Sequence, residues 1–402
     1  MSRLGKYSEA KTQDFFYNIN KGAVVTGLPN FWIKDVEVPR FFTTGLFTII
    51  MRCATFCFWI LILSEIGAFF TQHNLTEKQK YDRIIFTTSH PILYVIWATV
   101  AHYEDKVKGV TFHLCVSLKE MYNDLKVERQ MLKKAKLFSI ANVFSCVMTL
   151  VFYAFNGVTQ VIRSGVSFTT VITAWPELNN TSMAANIVRA LSFVIWLVLV
   201  CRTCAAFVIA ISTTICLSHQ YKQLQSYFYS IEENFSTEHL DQVEKERKYE
   251  ESLKHGIKMH SETLLCTQVV QEIFGPVYSG QITLNIIALI ILMMQMMDSE
   301  QTLFNALGMV SMASAVLSTT GILMCSAGDI TIEAALLPVA MYSSGWQNCR
   351  GKSNKRVRKL LLLAMTQGQR PVVLKAFNLI ELSYQSFLSI VKSSYSVFSV
   401  FY

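Results

Sequence analysis

Apolar residues gather into seven long runs separated by polar connections, about Leu46–Phe70, Ile84–Ala101, Leu137–Gly157, Ile187–Cys216, Ile273–Met297, Leu303–Ala327 and Ala376–Tyr402. Each is near or above the roughly 20 residues a helix needs to cross hydrocarbon. The pattern predicts an all-α membrane protein with seven transmembrane helices. Some connections are themselves helical in pattern. Tyr103–Lys136 places Val107, Val110, Leu114, Leu118, Met121, Leu125, Met131 and Leu132 near helical spacing, so the second and third spans are expected to continue past the membrane. His219–Val269 reads as a charged helical pair broken near Asn234–Thr237, and with Thr331–Gln369 it predicts a helical bundle under the bilayer. Pro91 and Pro276 fall inside spans, where they are expected to kink the helices.

Charge then assigns the sides. Arg3, Lys6, Lys11, Lys21, Lys34 and Arg40 precede the first span, and the connection after the second holds Lys106, Lys108, Lys119, Lys126, Arg129, Lys133, Lys134 and Lys136. The connections after the fourth and sixth are similarly basic, whereas the intervening ones hold little beyond Lys78, Lys80, Arg83 and Arg163. Cytoplasmic loops retain positive charge, so the N-terminus is expected in the cytoplasm and the C-terminus, after an odd number of crossings, outside. Sequons at Asn74, Asn179 and Asn180 fall in connections already assigned to the outer side and are expected glycosylation sites, while the one at Asn234 falls inside and is expected to be unused. The chain divides into a cytoplasmic N-terminal segment (1–45), spans one to six with their loops (46–327), a cytoplasmic anchor segment (328–372) and the last span (373–402).

Hydrophobic residues make up 52% of the chain and charged ones 16%, which excludes disorder. The net charge of +8 follows from the inside bias, so anionic lipid head groups are the expected electrostatic partner and nucleic acid is not. The first forty residues lack a short apolar core and a cleavage site, so no removable signal peptide is expected. None of the ten cysteines falls in a predicted outer connection, and no structural disulfide is expected. Cys201 and Cys204 have the spacing of a metal or redox pair, but a lone pair inside a span reads as packing. Neither a metal nor a cofactor is expected. No cluster of carboxylates, histidines or activated nucleophiles lies at membrane depth, which argues against an enzyme.

Single ionisable residues inside the runs are Arg52, Glu65, His90, Arg189, Arg202, Glu381 and Lys392. Most can pair or snorkel. Lys392 would lie near mid-membrane if the last span is one straight helix. On a helical wheel Gln385, Ser386, Ser389, Lys392, Ser393, Ser396 and Ser399 share one arc of that span, a face fit for water or for close helix packing. The outer halves of spans two to four and six are rich in aromatic and sulfur side chains. Phe86, His90, Tyr94, Met148, Phe152, Phe155, Phe193, Leu197, Phe304 and Leu307 are the expected lining of an apolar cavity with few polar anchors, suited to a small volatile hydrophobic ligand.

The C-terminal region carries a family resemblance. Glu333, Ala340, Tyr342 and Trp346, the basic helix with Arg358, Lys359 and Met365, then Gln369-Arg370-Pro371 and finally Ser394-Tyr395-Ser396-Val397-Phe398 resemble the signature of insect odorant receptors. Length, span number and orientation agree along nearly the whole chain. The resemblance implies an odorant-binding tuning subunit of a heteromeric ligand-gated cation channel. It would assemble with a common co-receptor into a four-subunit complex in the plasma membrane of olfactory sensory neurons, on their dendrites, with cytoplasmic helices as anchor and each last span lining the pore. The chain resembles a tuned subunit more than the co-receptor, because its fourth-span loop is short and its ending, Ser399-Val400-Phe401-Tyr402, lacks the co-receptor's terminal glutamine.

Carrying the family's pore face over from Ser394-Tyr395 points Ser394, Phe398 and Phe401 at the axis, where aromatic rings can gate by dewetting. The helical wheel favours the serine arc instead. The alternative function, a seven-span G-protein-coupled receptor, requires an external N-terminus. Asp82-Arg83 precedes the second span rather than following the third, and the last span has no Asn-Pro-x-x-Tyr pattern.

Overall fold

Polar flanks of high helical propensity prolong most of the apolar runs into helices longer than a bilayer is thick. The computed structural model describes residues 11–164, 167–236, 240–298, 303–351 and 353–401. Its first half consists of α1 (Lys11–Val25), α2 (Gly45–Thr71), α3 (Glu77–His102), α4 (Glu104–Phe112), the short α5 (Leu118–Met121) and α6 (Leu125–Ser164). The second half consists of α7 (Met183–Ser230), α8 (Gln242–Asp298), α9 (Leu303–Tyr342), α10 (Ser353–Gly368), a hairpin of β1 (Lys375–Ala376) and β2 (Ile380–Glu381), and α11 (Tyr384–Phe401). The 57 residues of α8 rise about 85 Å. The hydrocarbon needs only about 30 Å of that, and the charged stretch Glu244–Lys248 at its start stands outside the membrane.

Among the described residues six helices, α2, α3, α6, α7, α8 and α9, are long and apolar enough to cross a membrane. The expected seventh span, Ala376–Tyr402, is not one continuous helix. Phe377 (φ 53°) and Asn378 (φ 58°) adopt left-handed backbone conformations that close the β1–β2 turn, and the helix starts only at Tyr384. Glu381 therefore belongs to the hairpin and not to a span, while Tyr402 lies outside the described residues. Helix starts follow local chemistry. Thr76 opens α3 with a reciprocal capping box to Gln79, and Thr44 and Ser182 cap α2 and α7 through their side chains.

Alternate connections meet at opposite ends of the bundle, as a serpentine path requires. At the basic end, Thr12 of α1 gives its amide and hydroxyl to Glu128 of α6, Gln223 of α7 accepts from the Asp124 amide, and α10 packs on α8 and α9. At the other end the loop before α7 covers α2. Ala174 donates its amide to Ser64, and Gln72 reaches the carbonyls of Thr173 and Pro176. Asn74 and Asn179 are exposed at this end, and Asn180 is half-buried with its amide oxygen accepting from the Ser182 amide.

Two cores result. A large one at the basic end joins α1, α4, α7, α8, α9 and α10 through buried residues such as Phe16, Tyr221, Phe228, Tyr249, Phe274 and Leu361. A smaller one at the other end gathers Phe58, Phe86, Tyr153, Trp196, Leu292 and Met312. α2 lies on the outside, presenting Ile49, Phe56, Leu63 and Phe70 to the surroundings, as a lipid-facing helix does. The buried Arg202 is not left as a lone charge. It donates to Thr55 Oγ1 (2.7 Å), Met51 O (3.2 Å) and Thr26 O (3.3 Å), tying α7 to α2 and to the segment after α1.

Candidate ligand cavity and polar helix face

The smaller core borders a partly open cavity of about 110 Å³. Five helices wall it: α3 with Phe86, Ser89, His90 and Leu93; α6 with Cys146, Thr149, Leu150 and Tyr153; α7 with Trp196, Val200 and Phe207; α8 with Gln281 and Leu284; and α9 with Met312, Ala315, Val316 and Thr319. Three rings lock its upper wall edge to face, Phe86 on Tyr153 (5.6 Å), Phe86 on Trp196 (5.6 Å) and Tyr153 on Trp196 (5.8 Å). Tyr153 gives its hydroxyl to Met312 Sδ at 3.3 Å, which joins α6 to α9 across the cavity. The His90 ring stacks on Phe86, one turn earlier on α3, at 5.3 Å.

Polar groups are few and specific. His90 Nδ1 is 2.7 Å from Glu65 Oε1 on α2, and both side chains are shielded from solvent. Their other polar atoms, His90 Nε2 and Glu65 Oε2, are buried without a partner. Gln281 Nε2 donates to Val316 O (3.3 Å) and Thr320 Oγ1 (3.0 Å), while Gln281 Oε1 is buried without a partner. A cavity so lined can hold a small, mainly apolar molecule and offers it isolated hydrogen-bonding points.

Of the ten expected lining residues, the structure brings Phe86 and His90 to this cavity. Tyr94 lies beside it, packed on Phe58, Trp59 and Trp97. On α6 the inward face is Cys146, Thr149, Leu150 and Tyr153, so Met148 and Phe152 point elsewhere and Phe155 is exposed. Phe193 stands behind Trp196 and against Phe168. Leu197 does not reach the cavity, Leu307 is exposed, and the Phe304 side chain lies outside the described residues. Trp196, Tyr153 and Gln281 were not anticipated. The side-chain amides inside the apolar fifth run, Gln281, Asn285 and Gln295, were the signal available for Gln281.

A second feature lies on α11. Its buried face carries Ile390 and Ser394, with Phe387, Val391 and Phe398 partly covered on the same side. The opposite arc, Gln385, Ser389, Lys392, Ser393, Ser396 and Ser399, is exposed. Ser394, expected at the pore, lies on the face turned to the chain's own bundle: its side chain is only 1% exposed and its hydroxyl donates back to Ile390 O. Phe398 shares that inward face, and the Phe401 side chain lies outside the described residues.

Comparison with known proteins agrees with this architecture. The family described as 7tm Odorant receptor matches residues 106–395. No curated protein matches the chain. Among solved structures, the insect olfactory receptor OR5 from Machilis hrabei is similar with a TM-score of 0.78 and 14% identity, over 96% of this chain and 97% of that one. The same receptor in complex with eugenol gives a TM-score of 0.78 and 14% identity over 97% and 98%.

Proposed function

This chain belongs to the 7tm odorant receptor family, and on that premise we propose that it is the odorant-binding tuning subunit of a heteromeric ligand-gated, non-selective cation channel. In this reading it assembles with a common co-receptor into a four-subunit complex in the plasma membrane of olfactory sensory neurons, basic end inward. The ligand is a small volatile odorant held in the cavity between α3, α6, α7, α8 and α9. The structure of the related receptor with eugenol supports that ligand class.

One observation carries the channel assignment, the polar arc of α11 turned away from the chain's own bundle. Polar and charged side chains at membrane depth require water or a partner, since lipid offers neither. Subunits grouped around a common axis, each contributing this arc, provide both. Coupling is short in this arrangement, because α8 and α9 wall the cavity and also pack on α11. A ligand that fits the cavity better when these helices hold α11 in its open position shifts the equilibrium by that difference in affinity. The family match does not favour the G-protein-coupled alternative.

The test is to record from cells expressing this chain with and without the insect co-receptor, under a broad volatile panel and with G-protein signalling blocked. Currents that need both chains and survive the block are expected. Surface-expressed pairs that stay silent to the whole panel, or responses abolished by the block, would overturn the reading.

A further inference from the structure

The cavity's two unpartnered polar atoms define what its ligand carries. Glu65 and His90 share a hydrogen bond at 2.7 Å in a fully buried setting. Two arrangements of their protons leave the pair electrically neutral and put a hydrogen on Nε2: an imidazolium with a carboxylate, or a neutral imidazole accepting from a carboxylic acid. Nε2 is bare only where a neutral imidazole donates from Nδ1. If the acceptor is a carboxylate, an uncompensated charge is stranded in a low-dielectric site. If it is a carboxylic acid, the acid's own O–H on Oε2 is buried without a partner, on a residue that does not line the cavity. His90 Nε2, on a ring that lines the cavity and without a protein partner, is therefore a donor in want of an acceptor. Gln281 offers the complement. Its amide nitrogen is committed to the Val316 carbonyl, which accepts only, so Oε1 is the free atom and it is an acceptor.

We propose that the cavity selects an oxygenated volatile of about one ring in size, with His90 Nε2 donating to its oxygen and Gln281 Oε1 accepting from a hydroxyl where the ligand has one. The inference rests on the cavity being the odorant site. The size scale follows from volume: about 110 Å³ is somewhat below the roughly 150 Å³ that hold benzene in an engineered protein cavity, and the cavity is partly open, so one ring fills it while a short substituent extends through the opening. Buried polar atoms left unpaired penalise a ligand that cannot satisfy them, so a pure hydrocarbon of the same shape is disfavoured although the walls are apolar.

The experiment uses the full chain in lipid nanodiscs and three matched probes, ethylbenzene, acetophenone and 1-phenylethanol, each corrected for partition into protein-free discs. Ligand-dependent melting curves give the affinities. Acetophenone is expected to bind about tenfold more tightly than ethylbenzene, and 1-phenylethanol at least as tightly as acetophenone. The paired substitution E65M/H90F removes both polar groups without stranding a charge and should bring acetophenone and ethylbenzene together, with ethylbenzene still bound. Gln281→Met should remove any advantage of the alcohol over the ketone. Equal binding of ketone and hydrocarbon by the unsubstituted chain overturns the proposal without any variant having to fold, as does a ketone preference that survives in E65M/H90F. If none of the probes binds, the cavity is not the ligand site and the proposal falls with it. Odorant currents through the assembled channel would still be free to appear, so failure here and failure of the channel reading are told apart.

Discussion

A Cβ built on Gly321 of α9 would lie 3.2 Å from Cζ of Phe387 on α11. The last helix thus rests against α9 at a position without a side chain, two residues beyond Thr319 of the cavity wall. Gly321→Ala forces Phe387 aside by a few tenths of an ångström and is expected to change basal channel current. Gly308→Ala on the same helix has nothing within 4 Å of the added atom. It should leave the current unchanged while gaining about 0.5–1 kcal/mol from the better helix former. Indistinguishable currents in the two variants would show that this contact does not set the position of α11.

The cavity walls separate aromatic residues that sequence treats alike. Phe86 lines the cavity, and Phe152, one residue from Tyr153, does not. Phe86→Leu should shift odorant potency by about tenfold or more, in the range that a change of one or two carbons in an apolar pocket produces. Phe152→Ala should shift it by less than about twofold. Dose-response curves on the co-expressed channel decide, and equal shifts would argue that the pocket lies elsewhere.

Glu246 ties the N-terminal end of α8 to the segment leading into α10. It accepts from the amides of Arg350 (2.7 Å) and Gly351 (2.9 Å), from Gln242 Nε2 (2.9 Å) and from the Ser353 hydroxyl. Burial pushes its carboxyl up, but the Ser353, Gln242 and amide hydrogen bonds outweigh it and hold the group down at about 2. A depressed carboxylate stabilises the folded state in full above its ordinary value of 4.5 and loses that contribution as the pH falls towards about 2. Thermal melting of the detergent-solubilised chain should therefore show an acid-side loss of stability over that window. Glu246→Gln should be less stable at neutral pH and lack that part of the acid dependence. Parallel pH profiles for both proteins would exclude this linkage.

Most of the fold was legible in the sequence, because crossing hydrocarbon demands long apolar runs. The first six runs each lie within a helix of the structure. The charged extensions were legible too: the pair read in His219–Val269, broken near Asn234–Thr237, is the end of α7 and the start of α8, where Tyr249, Leu253 and Met259 are buried. The last span was misjudged at its beginning, where Asn378 was a readable turn residue that the apolar neighbours Phe377 and Leu379 obscured. For the cavity, the four-residue spacing of Phe86 and His90 identified the inner face of α3. On α6 the same logic chose Met148, Phe152 and Phe155, because a helix that is apolar all round in the membrane gives no phase. Thr149, a small polar residue beside the cavity, was the better guide to its inner face. The pairing of Glu65 with His90 is a contact between helices, and one sequence does not reveal which faces meet.

Lys392 sits at the centre of the exposed arc of α11, on the side opposite the buried Ser394. If that arc faces the conduction path, a fixed positive charge there opposes cation entry, with an interaction of roughly 1 to 4 kcal/mol for an ion passing at about 4 Å in water or near a protein surface. Lys392→Gln should then raise single-channel cation conductance, and Lys392→Glu should raise it further and increase permeability to divalent cations. Ser394→Ala should leave conductance and ion selectivity unchanged, because its hydroxyl is spent on the Ile390 carbonyl within its own helix. The reverse outcome, permeation that responds to residue 394 and ignores residue 392, would turn α11 by about half a turn and place the serine arc against a neighbouring subunit.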